Sequence, residues 1–279
     1  MSNTEVLIEA VNVEKEFRRA GTRVRAVRDV SFQLRAGESL AIVGESGSGK
    51  STVARMVMGM TAPSAGTIAL AGGSIPSTGR STRSRRARAA FVQMVFQDPY
   101  SSLDPRQRIS DCLMEALSTH TELDRAAREA RVRQLLDQVS LDPSLAASYP
   151  RALSGGQRQR VAIARALATD PRVLVLDEAV SALDVSVQAR ILRLLEQIRS
   201  EQGMSYIFIS HDLSVVRHIS HRVAVLLKGE IVEVGDGATV TSTPSHPYTQ
   251  RLLLASPVPN PDEQAERRAR YDSLEPASD

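Results

Sequence analysis

Residues 44–51 read GESGSGKS, a spacing of glycine, lysine and serine that suits phosphate binding. Glycines let backbone N–H groups turn toward an anion, and the N-terminus of a following helix adds about half a positive charge. In this pattern the Lys50 ammonium reaches the β- and γ-phosphates of a nucleotide, and the Ser51 hydroxyl ligates Mg²⁺. The alternative is a chance glycine turn. The predicted nucleotide-binding residues are Gly44, Glu45, Ser46, Gly47, Ser48, Gly49, Lys50, Ser51 and Thr52.

Two adjacent acids, Asp177 and Glu178, end the apolar run VLVLDE. Successive side chains of a strand point to opposite faces, so the two carboxylates can hold different tasks. Beside a nucleotide, we expect Asp177 to support Mg²⁺ through water and Glu178 to act as the general base on the attacking water. The alternative is a pair of solvated acids at the end of a strand.

A second glycine-rich segment, LSGGQRQR, occupies residues 153–160. Ser154 is a residue type that caps helices, and Gly155 and Gly156 permit close approach to an anion. Because the first loop already wraps the phosphates of one nucleotide, a second nest is most useful if it meets a nucleotide held by another chain. The alternative is an ordinary capped helix behind a glycine loop.

The composition is that of a globular chain with a core. The chain has 279 residues, of which 42% are hydrophobic, and no run approaches the roughly 20 apolar residues that span a bilayer. The first ten residues do not resemble a secretory signal. Cys112 is the only cysteine, which fits a reducing compartment and a packing role. With a net charge of +3 and 4% aromatic residues, nucleic-acid binding is not indicated.

Hydrophobic patterns predict the elements that position these residues. SLAIVG, VLVLDE and YIFIS are short apolar runs that end at polar residues, as buried parallel strands do. EVLIEAVNVEKEF, AVRDVSFQL and GTIALAGG alternate and border glycine turns, which predicts an antiparallel sheet. VAVLLKGEIVEVG predicts a hairpin that turns at Lys228 and Gly229.

Residues 107–168 are predicted to be mostly helical. Apolar residues recur there at helical spacing, which favours core packing, and the pattern returns after SALDVSVQA. The two sets are Val132, Leu135, Leu136 and Val139, and Ile191, Leu194, Leu195 and Ile198. The expected architecture is a parallel-sheet nucleotide core in a domain of residues 1–259, with an antiparallel flap and a helical insertion at about residues 98–168. Residues 260–279, Pro-rich and then charged, are predicted to be a poorly ordered tail.

Five motifs in one order carry a family resemblance: GESGSGKS, VFQDP, LSGGQ, VLVLDEAVSALD and FISHD. Together they resemble the ATP-binding subunits of ABC transporters over residues 6–259. The resemblance implies an α/β fold: a P-loop NTPase core with a mostly parallel sheet, an antiparallel β subdomain and an inserted α-helical subdomain. It also implies a head-to-tail dimer with two ATP molecules and Mg²⁺ between the subunits. The residues that contact the partner's ATP are then Ser154, Gly155, Gly156 and Gln157.

The resemblance implies further roles at matching positions. Gln97 contacts Mg²⁺ or the water and senses the membrane subunits, although a glutamine after a strand is more often a turn residue. Asp184 couples the two sites of the dimer, or serves as a helix N-cap, or does both. His211 contacts the γ-phosphate, although an isolated histidine is usually structural or solvated. Phe17 stacks on adenine, although an apolar-strand phenylalanine is more often core and the RRAGTRVR segment after it blurs the match.

A narrower resemblance, to the peptide and nickel branch of importer ATPases, rests on VFQDPYSSLDPRQRI, DEAVSALDVSVQ and SHPYTQRLLLASPVP. It implies a C-terminal segment at about residues 240–259, with a Pro-rich surface turn as the alternative for its start. Some members hold an iron–sulfur cluster through C-terminal cysteines, and we expect none here because those cysteines are lacking. The implied partners are a second ATPase subunit, two transmembrane subunits and, indirectly, an extracytoplasmic binding protein. For the second ATPase subunit, the resemblance favours a paralogue over a second copy of this chain. The implied location is peripheral, on the cytoplasmic face of the membrane.

Other functions share some of these motifs. An exporter ATPase shares every catalytic motif, and only the peptide-branch segments argue against it. ABC ATPases of translation usually carry two cores, and those of DNA maintenance insert long coiled coils, which this chain lacks. A P-loop GTPase should show an Asn-Lys-x-Asp motif, which is absent from the sequence. The basic segment at residues 80–90 favours a solvated helix face, with contact to anionic lipid as the alternative.

Overall fold

The computed structural model describes residues 5–19, 22–75, 81–98, 102–256 and 261–273. Two compact units can be distinguished within the chain. The first comprises the chain through Ile8, Arg35–Gly37 and Ala69–Tyr206, and the second comprises Glu9–Leu34, Glu38–Ile68 and the chain from Ile207 onward.

The strands and helices follow the hydrophobic patterns of the sequence. The strands are β1 (Val6–Arg19), β2 (Thr22–Arg35), β3 (Ser39–Val43), β4 (Ala65–Leu70), β5 (Val92–Val95), β6 (Val173–Asp177), β7 (Ser205–Ser210), β8 (Arg222–Leu227) and β9 (Glu230–Asp236). The helices are α1 (Lys50–Val57), α2 (Thr82–Ala89), α3 (Ile109–His120), α4 (Arg125–Gln138), α5 (Gly155–Leu167), α6 (Val185–Gln202), α7 (Leu213–Ile219), α8 (Gly237–Ser242), α9 (Pro247–Ala255) and α10 (Pro261–Ser273). Short 3₁₀ turns lie at Ala71–Gly73, Pro143–Ala147 and Pro150–Ala152.

The first unit contains a parallel strand pair and five of the ten helices of the described residues, α2 to α6. β5 pairs in parallel with β6, Val92 opposite Val173, and all five residues of β6 are buried. The predicted parallel strand is therefore confirmed. The predicted helical stretch consists of α3, α4 and α5, and the apolar stripe of α4 is buried, with Leu135 and Leu136 at 0% exposure.

The second unit contains the antiparallel strands and the rest of the parallel ones. β1 lies between β2 and β4, and β3 lies between β7 and β8. β3 is wholly buried and pairs in parallel with β8, while β8 pairs antiparallel with β9. The turn between β8 and β9 is at Lys228 and Gly229, whose φ angles are 47° and 89°. Two positive φ angles in a two-residue hairpin turn match the twist of the strands, so the predicted hairpin is confirmed.

The C-terminal region differs from the sequence prediction, because α10 occupies part of the segment expected to be poorly ordered. Arg251 of α9 donates a hydrogen bond to the Tyr271 hydroxyl at 3.2 Å, and its guanidinium lies 4.9 Å from the centroid of that ring. The prediction of poor order was based on the proline and charge content of the segment. Residues 262–270 are, however, mostly strong helix formers, and proline is favoured at the first position of a helix, which Pro261 occupies. Residues 274–279 lie outside the described part of the chain.

The basic segment is also more varied than predicted. In α2 the side chains of Arg83, Arg85 and Arg86 are exposed, as expected for a solvated face, but Arg88 is buried. Arg80 lies outside the described residues. Among the helices of the described ranges, none has the length and apolar composition needed to cross a bilayer.

Candidate functional site

The glycine-rich loop between β3 and α1 needs its glycines for two reasons. Gly44, Gly47 and Gly49 have φ angles of 153°, 84° and 111°, backbone conformations that residues with a side chain rarely adopt. A Cβ atom at Gly44 would lie 2.1 Å from the Leu226 carbonyl oxygen, and one at Gly49 would lie 2.4 Å from the carbonyl oxygen of Ala26. At Gly44 and Gly49 the loop backbone is therefore both turned and closely packed.

Lys50 begins α1 and points back into this loop. Its side chain is 4% exposed, and Nζ donates to the carbonyl oxygens of Gly44 and Glu45 at 2.7 Å each. The Ser48 hydroxyl is buried without a hydrogen-bond partner among the described residues. A buried cation, an unpaired hydroxyl and a helix N-terminus thus meet in one loop, which suits a phosphate group. Ser51 and Thr52 follow on α1, both partly buried.

The acidic strand end lies in the first unit. Asp177 is the last residue of β6 and is 9% exposed. Glu178 has a φ of 48°, and a left-handed conformation in a non-glycine residue marks a position worth functional scrutiny. Gln97 Nε2, two residues after β5, donates to Glu178 Oε2 at 2.9 Å. The structure therefore brings Gln97 and Glu178 together as neighbouring polar groups. Carboxylate oxygens such as those of Asp177 are a ligand type that Mg²⁺ prefers.

The start of α5 is capped as the sequence predicted. The Ser154 hydroxyl accepts from the Gln157 N–H at 3.3 Å, and Gln157 Oε1 accepts from the Ser154 N–H at 2.9 Å. This reciprocal pair is a capping box. Gln157 therefore stabilises the start of α5 in addition to its predicted contact with ATP, a structural role that the spacing Ser-x-x-Gln could have indicated.

Gly156 has a packing role beside its expected approach to an anion. A Cβ there would lie 2.5 Å from Cγ1 of Val187 in α6, whereas one on Gly155 would lie 3.5 Å from Leu183 Cδ2, an ordinary contact. Asp184 is the N-cap of α6, because its carboxylate accepts from the Val187 N–H at 2.9 Å. The predicted cap is confirmed. Val187 links it to the glycine segment, because its N–H donates to Asp184 and its side chain packs against Gly156.

The charge of Asp184 is favoured by its surroundings. The Ser186 hydroxyl donates to its carboxylate at 2.7 Å, and this bond, followed by the Val187 N–H, lowers the pKa of Asp184. The carboxylate is therefore ionised throughout the neutral range.

Besides the glycine-rich loop, the second unit contains two further candidate residues. His211 directly follows β7 and is exposed. Phe17 on β1 is 42% exposed, and Lys15 Nζ lies 5.2 Å from its ring centroid. The ring is thus accessible for stacking rather than part of the core. The roles assigned to His211 and Phe17 stay predictions.

One residue near the loop was not among the predicted site residues. The Tyr248 hydroxyl on α9 accepts a hydrogen bond from the Glu45 N–H at 2.9 Å. Tyr248 belongs to the SHPYTQ segment, and no sequence spacing indicates that it contacts a loop some two hundred residues earlier in the chain.

The model of the family described as ABC transporter matches residues 27–181, more than half of the chain. The chain belongs to the ABC transporter family. The probable peptide ABC transporter ATP-binding protein y4tS of Sinorhizobium fredii is 50% identical over 238 residues, which cover 85% of this chain and 67% of that protein. The oligopeptide transport ATP-binding protein OppD of Mycobacterium tuberculosis is 49% identical, over 88% of this chain and 39% of OppD. The glutathione import ATP-binding protein GsiA of Escherichia coli is 48% identical, over 90% of this chain and 40% of GsiA. The chain thus spans about two fifths of the length of OppD and GsiA.

Solved structures of the ABC transporter family resemble the fold. A dimeric post-hydrolysis state of the ATP-binding cassette MJ0796, bound to ADP and Pi, has a TM-score of 0.74 and 28% identity, over 82% of this chain and 98% of that one. CbiO1 from Clostridium perfringens, part of the ABC transporter complex cbiONQ, has a TM-score of 0.75 and 26% identity, over 86% and 92% of the two chains. The predicted fold class is confirmed, and the chain is an ATP-binding cassette with the chemistry of an ATPase.

Proposed function

We propose that the chain is the ATP-hydrolysing subunit of an importer, and that the cargo is an oligopeptide, a dipeptide or nickel. The observation that carries the proposal is the Lys50 loop, with its buried ammonium and turned glycines, in a chain of this family. Transport of peptides is supported by the names of y4tS and OppD and by the SHPYTQ segment, and import is supported by the name of GsiA.

In this proposal the loop residues bind the phosphates of ATP and Phe17 stacks on the adenine. The Lys50 ammonium already lies 2.7 Å from two carbonyl oxygens, and a phosphate offers a stronger, charged acceptor at the same place. Ser51, Gln97 and Asp177 would hold Mg²⁺, which neutralises charge that develops on the phosphates.

Glu178 acts as the general base toward the attacking water, with Gln97 as its positioning neighbour at 2.9 Å. A carboxylate whose side chain is already oriented by an amide is ready to accept a proton from water at a fixed place. His211 contacts the γ-phosphate from the end of β7.

The closed state is a dimer in which Ser154, Gly155, Gly156 and Gln157 contact the ATP of the partner subunit, and Asp184 couples the two sites. ATP must bind this closed state better than the open one, since only a difference in affinity shifts such an equilibrium. The partner is a paralogue or a second copy. The closing and reopening of the dimer change the conformation of two transmembrane subunits, which receive the cargo from an extracytoplasmic binding protein. The chain lies on the cytoplasmic face of the membrane.

Hydrolysis is tested on the assembled transporter, which is isolated from detergent-solubilised membranes by affinity purification of this chain. Glu178→Gln should lower ATP turnover by about 10²–10⁴-fold while ATP still binds, because a general base typically contributes that factor. Lys50→Ala should abolish ATP binding, and Glu201→Gln, at an exposed position on α6, is the matched control with wild-type turnover. Turnover of Glu178→Gln close to the control would refute the assigned base.

Import is tested by uptake into cells. A strain that carries Glu178→Gln in place of the wild-type chain should lose uptake of labelled dipeptides, of longer peptides or of nickel, and the class that is lost identifies the cargo. Recovery of the chain with ribosomes or DNA and without any integral membrane protein would contradict the transport assignment.

A further inference from the structure

The peptide group between Gly44 and Glu45 is held from both sides. Its N–H, on Glu45, donates to the Tyr248 hydroxyl at 2.9 Å, and its carbonyl oxygen, on Gly44, accepts from Lys50 Nζ at 2.7 Å. Tyr248 is 4% exposed, so its ring is fixed by packing. Burial raises the pKa of Tyr248, and the hydroxyl therefore stays protonated near neutral pH.

The segment that carries Tyr248 is itself anchored. The Glu233 carboxylate on β9 accepts from the N–H and the hydroxyl of Ser245 at 2.8 Å each, and from the His246 N–H at 3.2 Å. His246 Nδ1 in turn accepts from the Tyr248 N–H at 3.2 Å, which caps α9. Pro247 fixes the first turn of α9, and Thr249 is wholly buried. The SHPYT residues are thus held in place by several hydrogen bonds, and from this segment the Tyr248 hydroxyl contacts the loop.

We propose that Tyr248 is a positioning residue that holds the phosphate loop in its nucleotide-binding conformation, and this rests on the proposed binding of ATP at that loop. The peptide that Tyr248 fixes is one of the two on which the Lys50 ammonium rests. Preorganisation of this kind strengthens binding, because less order has to be imposed when the ligand arrives. Tyr248 acts through the loop backbone and not on the reacting atoms, so it affects nucleotide affinity and not the chemical step.

The direct test is Tyr248→Phe in the full chain and in the assembled transporter. The variant keeps the ring and removes the hydroxyl, which leaves the Glu45 N–H without this acceptor. One hydrogen bond is worth a factor of about 3–10 in an equilibrium. The Kd for ATP and the KM should therefore rise by about 3–10-fold, while kcat stays within about twofold.

Tyr206→Phe is the matched control. Tyr206 is also a buried tyrosine, and its hydroxyl donates to the backbone oxygen of Leu195 at 2.7 Å; neither of these two residues is a predicted site residue. This control should lower the melting temperature and leave the KM for ATP unchanged, which separates a positioning effect from a general loss of stability.

A second readout uses the reciprocity of coupled sites. If the contact links loop and helix, ATP must slow amide hydrogen exchange in residues 245–255 of the wild type, and must slow it less in Tyr248→Phe.

The outcomes separate the two proposals. If the wild-type chain does not bind ATP, or Lys50→Ala binds it normally, the proposed function fails. If the wild type binds ATP and Tyr248→Phe has the same Kd and KM, or if Tyr206→Phe raises KM equally, the positioning role of Tyr248 is overturned and the proposed function stands.

Discussion

The tight contact between Gly156 and Val187 makes Gly156→Ala the sharpest test of how the start of α5 is built. An added Cβ would lie 2.5 Å from Val187 Cγ1, about 1 Å inside the usual carbon–carbon contact distance. Val187 is β-branched and stiff at χ1, so its methyl group cannot turn away freely. The added methyl group must therefore displace α5 or α6.

The size of the effect follows from a comparison of two neighbouring glycines. Overpacking of this kind costs about 1–3 kcal/mol, and alanine regains at most about 1 kcal/mol of helix propensity. Gly155→Ala has the same gain in propensity, but its Cβ would make an ordinary contact at 3.5 Å. The difference between the two variants is therefore the clash itself. It should place the melting temperature of Gly156→Ala about 2–10 °C below that of Gly155→Ala.

Thermal unfolding of the full chain, followed by circular dichroism, measures this difference. A double-mutant cycle with Val187→Ala adds a rescue, because that change removes the methyl group that the new Cβ would strike. We expect Gly156→Ala to cost about 1–2 kcal/mol less in the Val187→Ala background than in the wild type.

Equal melting temperatures for Gly155→Ala and Gly156→Ala would refute the packing argument. So would a double mutant whose destabilisation is the plain sum of the two single changes. Gly156 would then be needed for access to the nucleotide alone.

Three further predictions concern neighbouring contacts. Ser154→Ala removes the capping box and should cost about 0.5–2 kcal/mol in chemical unfolding of the full chain; no change would contradict the cap. The pKa of Asp184 is lowered by hydrogen bonds, so its stabilising effect exists above the ordinary carboxyl pKa of about 3.9 and is lost as the pH falls through the lower folded value. The melting temperatures of the wild type and Asp184→Ala should therefore differ at pH 7, and the difference should shrink as the pH falls below the ordinary carboxyl pKa; a difference that stays constant with pH would contradict this. Gln97→Glu replaces the amide that donates to Glu178 Oε2 at 2.9 Å with a second carboxylate, and this loss of the orienting hydrogen bond should lower ATP turnover by about tenfold or more. Gln93→Glu, whose parent amide donates to the Ala89 carbonyl oxygen at 2.7 Å, is the control and should leave ATP turnover unchanged; equal turnover of the two variants would contradict the role of Gln97.

Much of the fold was predictable because its signals are local. β3, β6 and β7 are short apolar runs, and all of their residues are buried. Likewise Lys228 and Gly229 carry a turn signal that needs only the adjoining residues. The caps at Ser154 and Asp184 were predictable for the same reason, since a cap bonds to a residue three positions away.

What the sequence did not reveal depends on residues distant in the chain. The contact of Tyr248 with Glu45, the approach of Gly156 to Val187 and the pairing of Gln97 with Glu178 are tertiary. The helix α10 was missed for another reason, because charged residues that suit a disordered tail are also good helix formers.

The central claim is that the nucleotide is held by the Lys50 loop of one subunit and by the Ser154 segment of its neighbour. A cryo-electron microscopy structure of the ATP-loaded transporter, with Glu178→Gln to stop turnover, tests this directly. We expect the Ser154 hydroxyl to lie within hydrogen-bonding distance, about 2.7–3.2 Å, of a phosphate oxygen of the ATP bound by the partner subunit. A closed assembly in which no phosphate oxygen lies near Ser154 would contradict it.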